Sequence, residues 1–269
     1  SGCTSLTTAP ELPATTLADR CYQDMFYNCL SLTTAPALPS TTLADSCYYG
    51  MFQFCTGLTQ APELPSTTLA YRCYYGMFHG CTNLIQAPEL PSTTLADYCY
   101  YNMFWNCKSL TQAPVLPATT LADSCYRSMF NGCTNLKTAP NLPATTLADY
   151  CYYEMFKGCT TLTTAPELPA TTLKYYCYGY MFQGCSNLNY IKCLATDISA
   201  TDCTYNWVNG VSPTGVFVID DNADWQIGSS GIQTGWEVKP YNVVVFTAEE
   251  SGSTIGLRSL SSNQTLEYK

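Results

Sequence analysis

The hydrophobic and polar positions of this chain fall into columns. Cys3, Cys29, Cys55, Cys81, Cys107, Cys133, Cys159 and Cys185 stand 26 residues apart without interruption, and self-similarity at a fixed period sets the architecture before any local motif is read. One unit, Cys133 to Gly158, reads CTNLKTAPNLPATTLADYCYYEMFKG. Its first half sets Leu136, Ala139 and Leu142 among polar residues and prolines, which is an extended pattern. Pro140 recurs as Pro10, Pro36, Pro62, Pro88, Pro114 and Pro166, and a residue without an N–H cannot donate to a sheet ladder. Each unit is therefore predicted to hold a strand of only ~3 to 4 residues.

The second half reads differently. Thr146-Leu147-Ala148-Asp149 has the spacing of a capping box, with a hydroxyl at the cap and a carboxylate three residues on. This predicts a helix from Leu147. Leu147, Ala148, Cys151, Tyr152, Met155 and Phe156 then form one apolar stripe. Gly158 closes the unit, in a column that also holds Gly80, Gly132, Gly184, Asn28 and Asn106, residues that tolerate left-handed backbone after a helix end. Phe54 is the exception in that column. Stacked units would place strands at ~4.8 Å and helices at ~8 to 10 Å, so the array should bend, with strands on the concave side and helices on the convex side.

The consensus C-x-x-L-x-x-A-P-x-L-P-x-x-T-L-A-D-x-C-Y-x-x-M-F-x-G-C resembles the leucine-rich repeat of the BspA-like (Treponema pallidum type) surface proteins found in gut Bacteroides and relatives. The shared features are the Leu-Pro step, the small residue ahead of Phe and the Cys that opens the next unit. The unit is longer than that family's usual repeat and has Ala-Pro-x-Leu where alternating aliphatics are usual. The resemblance covers residues 3 to 210. It implies an α/β repeat fold, a right-handed leucine-rich-repeat solenoid with very short parallel strands and short helices, followed by a small β extension.

Residues 1–210 accordingly read as a solenoid of seven 26-residue repeats and a degenerate eighth. In the eighth, Ile191-Lys192 replaces Ala-Pro and Trp207-Val208 replaces Met-Phe, the erosion expected of a capping repeat. Residues 211–240 carry no repeat signal and read as a C-terminal cap, with short strands at Gly215–Ile219 and Trp236–Val238. Residues 241–269 read as a β tail, with strands at Val243–Phe246, Thr254–Leu257 and Thr265–Tyr268, which resembles the start of a truncated β-sandwich. At the other end, Gly2 already sits in the column of Gly80 and Gly132. The sequence thus opens inside a repeat, which leaves room for a leader or further repeats upstream.

Composition narrows the function classes. Hydrophobic residues make up 46% and charged residues 12%, which suits a folded chain with a core. A net charge of -9 without a basic run argues against nucleic acid or anionic membrane as partner. No apolar run is long enough for a bilayer span, so direct membrane insertion is not expected.

The 17 cysteines sort into two columns of eight, the one above and Cys21, Cys47, Cys73, Cys99, Cys125, Cys151, Cys177 and Cys203, with Cys193 left over. No C-x-x-C pair exists and His79 is the one histidine, so no metal or other cofactor is expected. Reduced thiols serving as small buried side chains fit best, with a disulfide left open for an exported protein. His79 stands in a variable, exposed column and reads as satisfied or solvated, and no base accompanies a nucleophile, so no enzyme is expected. Asp220-Asp221-Asn222-Ala223-Asp224 resembles a calcium loop but lacks its sixth-position Gly and distal Glu, and reads as a solvated turn.

Two sets of columns are candidates for binding. On the concave side the residue before Ala-Pro is Thr8, Thr34, Gln60, Gln86, Gln112, Thr138, Thr164 and then Tyr190, flanked by Glu11, Glu63, Glu89 and Glu167. These could grip an extended ligand or be a solvated face with laddered amides. On the convex side Tyr49, Tyr75, Tyr101 and Tyr153, with Tyr98, Tyr150 and Tyr176 beside them, point away from the stripe. They could anchor a partner or shield one another. A further column, Tyr22 to Tyr178, flanks the stripe and reads as packing. Ligand-binding candidates are therefore Gln60, Gln86, Gln112, Glu63 and Glu89 on one side and Tyr49, Tyr75, Tyr101 and Tyr153 on the other. The leading expectation is a non-catalytic, extracellular or cell-surface protein that recognises a host or bacterial surface protein or glycan. The alternative is a spacer that presents a downstream β-sandwich. End-to-end self-association through the uncapped first repeat is a further expectation.

Overall fold

A computed structural model describes residues 2–241, 244–248 and 255–259 of the chain. Equivalent residues of successive repeats lie side by side in parallel. Single-residue parallel bridges join Thr8 to Thr34, Gln60 to Gln86, Gln86 to Gln112, Gln112 to Thr138 and Thr164 to Tyr190. A second column of bridges joins Thr42 to Thr68, Thr120 to Thr146 and Thr172 to Asp197. The architecture is a repeat solenoid with a parallel strand face.

The strand segments are shorter than predicted wherever Ala-Pro is present, reduced to isolated single-residue bridges. The eighth unit supplies the control. There Ile191-Lys192 replaces Ala-Pro, and a four-residue strand forms, β1 (Tyr190–Cys193). It pairs in parallel with β2 (Val216–Ile219), which pairs in parallel with β3 (Glu237–Pro240). Restoring one N–H lets the ladder run on. The ladder thus continues through residues 211–240, with Tyr190 opposite Val216 at the same 26-residue offset.

The predicted helices do not form. Among the described residues no α-helix is present. In their place each unit carries a chain of tight turns whose N–H groups go alternately inward and onward. The N–H groups of Cys47, Tyr49, Met51 and Gln53 donate to the carbonyls three residues earlier, while those of Ser46, Tyr48, Gly50, Phe52 and Phe54 donate to Tyr71, Cys73, Tyr75, Met77 and His79 of the next unit, at 2.7–3.0 Å. Backbone φ is positive every fourth residue, at Ser46 (55°), Gly50 (56°) and Phe54 (60°) here, with the same columns positive in the other units. A helix is impossible with left-handed residues at that spacing.

The reason lies in stacking. A helix would satisfy its N–H groups internally beyond the first turn, whereas this turn layer gives half of them to its neighbour and so binds each repeat to the next. The capping-box aspartate takes the same role. Asp123 Oδ1 accepts the N–H of Asp149, and Asp149 Oδ1 accepts that of Tyr175, at 3.1 and 3.2 Å, one repeat onward and not in its own segment. The strong bend expected from wide helix spacing loses its cause, because layers on the turn side are held at hydrogen-bond distance.

The stripe residues do fill the core. Tyr48, Tyr74, Tyr100, Tyr126 and Tyr152 stack in one buried column with centroids 5.7–5.9 Å apart. Phe52, Phe78, Phe104, Phe130 and Phe156 form a second at 5.7 Å. Trp207 ends both columns, stacked on Tyr178 at 6.1 Å and tilted on Phe182 at 6.0 Å. Trp225 covers Trp207 at 5.3 Å. Each indole N–H in this region is satisfied, Trp207 donating to Gly231, Trp225 to Ala195 and Trp236 to Ser212.

In the tail, β4 (Val244–Ala248) and β5 (Ile255–Ser259) form an antiparallel pair. The strand expected at Thr265–Tyr268 lies outside the described residues.

Candidate functional site

The strand face builds its surface from backbone upward. The Gln60–Gln86–Gln112 bridges hold three amide side chains in register on one exposed face. The prolines that shorten the strand line the adjoining groove, of about 500 Å³, together with the side chains of Gln60, Glu63, Gln86 and Glu89. Four of the five candidates on this side are thus brought into one groove. Gln112 extends the row through its bridge to Gln86. The carboxylate row stops there, because Val115 replaces the glutamate and is 76% exposed. Among the described residues neither Glu63 nor Glu89 has a cation within salt-bridge distance, while Glu167 pairs with Lys192 at 3.0 Å. A second groove on the same side, lined by Pro10, Glu11, Pro13, Pro36 and Pro39, continues it toward the first repeat.

The turn face is organised differently. Tyr49, Tyr75 and Tyr101 stack face to face with centroids 4.5 Å apart and planes within 10°. The next place in the column is Arg127, whose guanidinium lies 5.4 Å from the Tyr101 ring, 4.5 Å from Tyr153 and 4.9 Å from Tyr150. Arg72 similarly sits over Tyr71, Tyr75 and Tyr98. All four candidate tyrosines are half-buried. Tyr75 is stacked on both ring faces, and Tyr101 lies between Tyr75 and Arg127, whereas Tyr49 has one ring neighbour and lines a groove with Asp24, Tyr27 and Gln53. Arg127 was the residue the tyrosine pattern missed. Its signal was the 26-residue column itself, in which a cation stands between two rings.

His79 is not solvated. It is half-buried, stacks on Trp105 at 4.8 Å and shares a 2.8 Å hydrogen bond between Nδ1 and Gln53 Nε2. Burial lowers its pKa below the usual imidazole value. The thiols are all free, and all but Cys3 and Cys21 are buried. Burial pushes Cys47, Cys55 and Cys99 up to about 12, which holds them as neutral thiols rather than nucleophiles. Asp220 closes its own turn, its Oδ1 accepting from the backbone N–H and the side-chain amide of Asn222 at 2.9 Å. Among the described residues no group of three or more His, Cys, Asp or Glu side chains could hold a metal ion.

No curated protein and no solved structure matches the chain. A family model does, described as BspA type leucine rich repeat region (6 copies), over residues 1–111 and 102–202. Those spans take in every repeat of the stack from Gly2 into the eighth unit, so the chain belongs to the BspA-type leucine-rich repeat family.

Proposed function

We propose that this chain is a non-catalytic, exported surface protein that recognises a protein or glycan partner through its strand face. The observation that carries the reading is the register of Gln60, Gln86 and Gln112, three exposed amides on one bridge column beside a groove with two carboxylates that no cation pairs among the described residues. Their backbone is fixed by the stack, so little ordering cost attends binding. Each amide offers both a donor and an acceptor, which suits hydroxyl-rich sugars and extended peptides alike. The buried, high-pKa thiols and the satisfied His79 support a role without catalysis. Proteins of this repeat type act at surfaces by the resemblance above, and the acidic balance disfavours nucleic acid and anionic membrane.

The test is binding of the purified chain to an array of extracellular-matrix proteins and surface glycans. Replacing Gln60, Gln86 and Gln112 together by Ala should weaken the strongest hit by at least about tenfold, equivalent to 1.4 kcal/mol. Replacing Tyr75 and Tyr101 by Ser should not, once stability is matched. Binding that survives the first set and is lost with the second would move the site to the turn face.

A spacer that presents a downstream β module is the second reading. It is favoured by the continuity of the stack, in which hydrogen bonds join every layer to the next. Hits that survive both sets of substitutions, or no hit at all, would support it.

A further inference from the structure

The residue after Ala-Pro varies from unit to unit, reading Glu11, Ala37, Glu63, Glu89, Val115, Asn141 and Glu167 along the stack. Glu63 and Glu89 are the one pair of carboxylates in adjacent layers of that column. Both are exposed, and both line the groove of about 500 Å³ together with Ala61, Pro62, Ala87 and Pro88. Like charges in register on neighbouring strands are destabilising. The stack therefore carries a repulsive pair at the groove, and no cation among the described residues lies within salt-bridge distance to relieve it.

Elsewhere in the same column the fold itself shows how such a carboxylate is met. Glu167 takes the ammonium of Lys192 at 3.0 Å, and that ammonium also lies 3.7 Å from the centre of the Tyr241 ring. Lys192 stands one unit on from Pro166, in the proline column. The residues in the equivalent place for Glu63 and Glu89 are Pro88 and Pro114, which bring no charge. A cation for this pair has to come from another molecule. The surroundings add an apolar element. Val115, next after Glu89 in the column, is 76% exposed, and Ile85, beside Gln86, is 55% exposed. In the other six units the place of Ile85 holds threonine or lysine.

We infer that the groove takes an extended protein segment in which an arginine or lysine is followed two residues later by an apolar side chain, the cation lying between Glu63 and Glu89 and the apolar group on Val115. This rests on the strand-face reading above and names the chemistry of its partner. A guanidinium presents five donors in a flat fork, enough to join two carboxylates of adjacent layers. Its methylene stem can lie along the prolines. From midway between Glu63 and Glu89 to Val115 is one and a half layers, ~7 Å at ~4.8 Å per layer, and side chains two residues apart on an extended segment are separated by about the same distance. The segment's peptide groups meet Gln60, Gln86 and Gln112, each of which offers a donor and an acceptor. A neutral sugar supplies no charge to the glutamates, and its hydroxyls gain nothing from Val115.

The test titrates the full chain into a fluorescent peptide of repeated Arg-Ser-Leu and follows anisotropy. Companion probes carry neutral citrulline for arginine or serine for leucine, and a chitosan oligomer stands for a cationic sugar. Glu63→Gln with Glu89→Gln should weaken the arginine peptide by at least about tenfold, whereas the charge-matched pair Asp221→Asn with Asp224→Asn, in the cap, should change it less than about twofold. The glutamate variant should melt no lower than the parent, since a like-charge pair has been removed. Val115→Thr should weaken the leucine peptide and leave the serine one unchanged. Equal losses from the two charge-matched pairs, no measurable binding of the arginine peptide, or tighter binding of chitosan that ignores Val115→Thr would each overturn the inference. Citrulline binding as tight as arginine, and lost with the three glutamines, would overturn the cationic class while leaving the strand face as the site. Arginine binding that ignores the glutamines and falls with the glutamates would keep the cation seat and remove the glutamine row from it.

Discussion

The thiol of Cys107 donates to the carbonyl oxygen of Phe78, 3.1 Å away and one layer earlier in the stack. The same bond recurs from Cys55 to Phe26, Cys81 to Phe52, Cys133 to Phe104, Cys159 to Phe130 and Cys185 to Phe156, at 2.9–3.2 Å. From Cys55 onward the cysteine that opens each repeat is therefore a hydrogen-bond donor as well as a small buried side chain. Cys107→Ala should cost about 1–3 kcal/mol, from lost contacts and the lost thiol bond, while the Phe78 carbonyl keeps the N–H of Cys81 at 3.0 Å. Cys107→Ser keeps a donor of similar reach and should cost less. Urea unfolding of both variants checks the order, and a serine variant weaker than the alanine one would show that packing alone accounts for the column.

Stability should fall on the alkaline side. Burial raises Cys47, Cys55, Cys99, Cys151, Cys185 and Cys193 from the ordinary thiol value of 9.0 to about 12, only partly offset by backbone hydrogen bonds. Above pH 9 an unfolded chain loses these protons while the folded one keeps them, so the folded state binds more protons and stability declines as pH rises. The thiol contribution is whole below about pH 9 and is lost progressively toward pH 12. A midpoint in urea that stays level from pH 8 to pH 11 would contradict this.

Arg127 should resist conservative replacement. Its guanidinium lies between the rings of Tyr101 and Tyr153 with Nε buried and without a hydrogen-bond partner among the described residues. A planar cation can lie flat between two rings and an ammonium cannot. Arg127→Lys is expected to cost about 0.5–2 kcal/mol, and Arg127→Tyr, which would continue the Tyr49–Tyr75–Tyr101 stack, less. Thermal melts of the two variants give the comparison.

Left-handed backbone makes two glycines differ in a measurable way. Gly76 has a φ of 57° and open space around a would-be Cβ, with the His79 Cβ 3.9 Å off, so Gly76→Ala should cost only the conformational penalty of about 1–2 kcal/mol. Gly80 has a φ of 73° and a Cβ there would overlap the Phe54 ring, so Gly80→Ala should cost more. Equal losses in chemical unfolding would mean that Phe54 swings aside freely.

The register of the stack was legible in the cysteine columns, and the core could be read from the Tyr, Met and Phe columns beside them. The proline argument held in direction, since the one unit without Ala-Pro is the one with a full strand, although the other strands shrank further than predicted. The helix was misread for a definable reason. From Leu147 the apolar stripe repeats every four residues, which drifts by about 40° per step on a helix of 3.6 residues per turn. Over two steps that drift passes unnoticed, whereas a four-residue turn cycle keeps the stripe in phase. Gly76 and Gly80, four apart, and Asn102 and Asn106 in the next unit carried the same message, because both columns hold residues at ease in left-handed backbone. On the candidate site, the register of the glutamines could be read from spacing, but the face-to-face stacking of Tyr49, Tyr75 and Tyr101 could not. It depends on the 4.5 Å separation that only the layered hydrogen bonds impose.

The one-way bonds between layers have an electrical consequence. In an ordinary sheet strand dipoles alternate and largely cancel, but here the peptide groups that join the turn layers point along the stack in one sense, from Arg20 through Gly184, and outnumber the strand-side bonds that run the other way, such as Thr33 to Thr7, Ile85 to Thr59 and Asn189 to Thr163. Aligned peptide dipoles sum as they do in a helix, placing partial negative charge at the carbonyl end and partial positive charge at the N–H end. The turn side of the stack is thus polarised along its length without using a charged side chain. The oxygens of Ser229 and Ser230 sit at its positive end, where the field favours them.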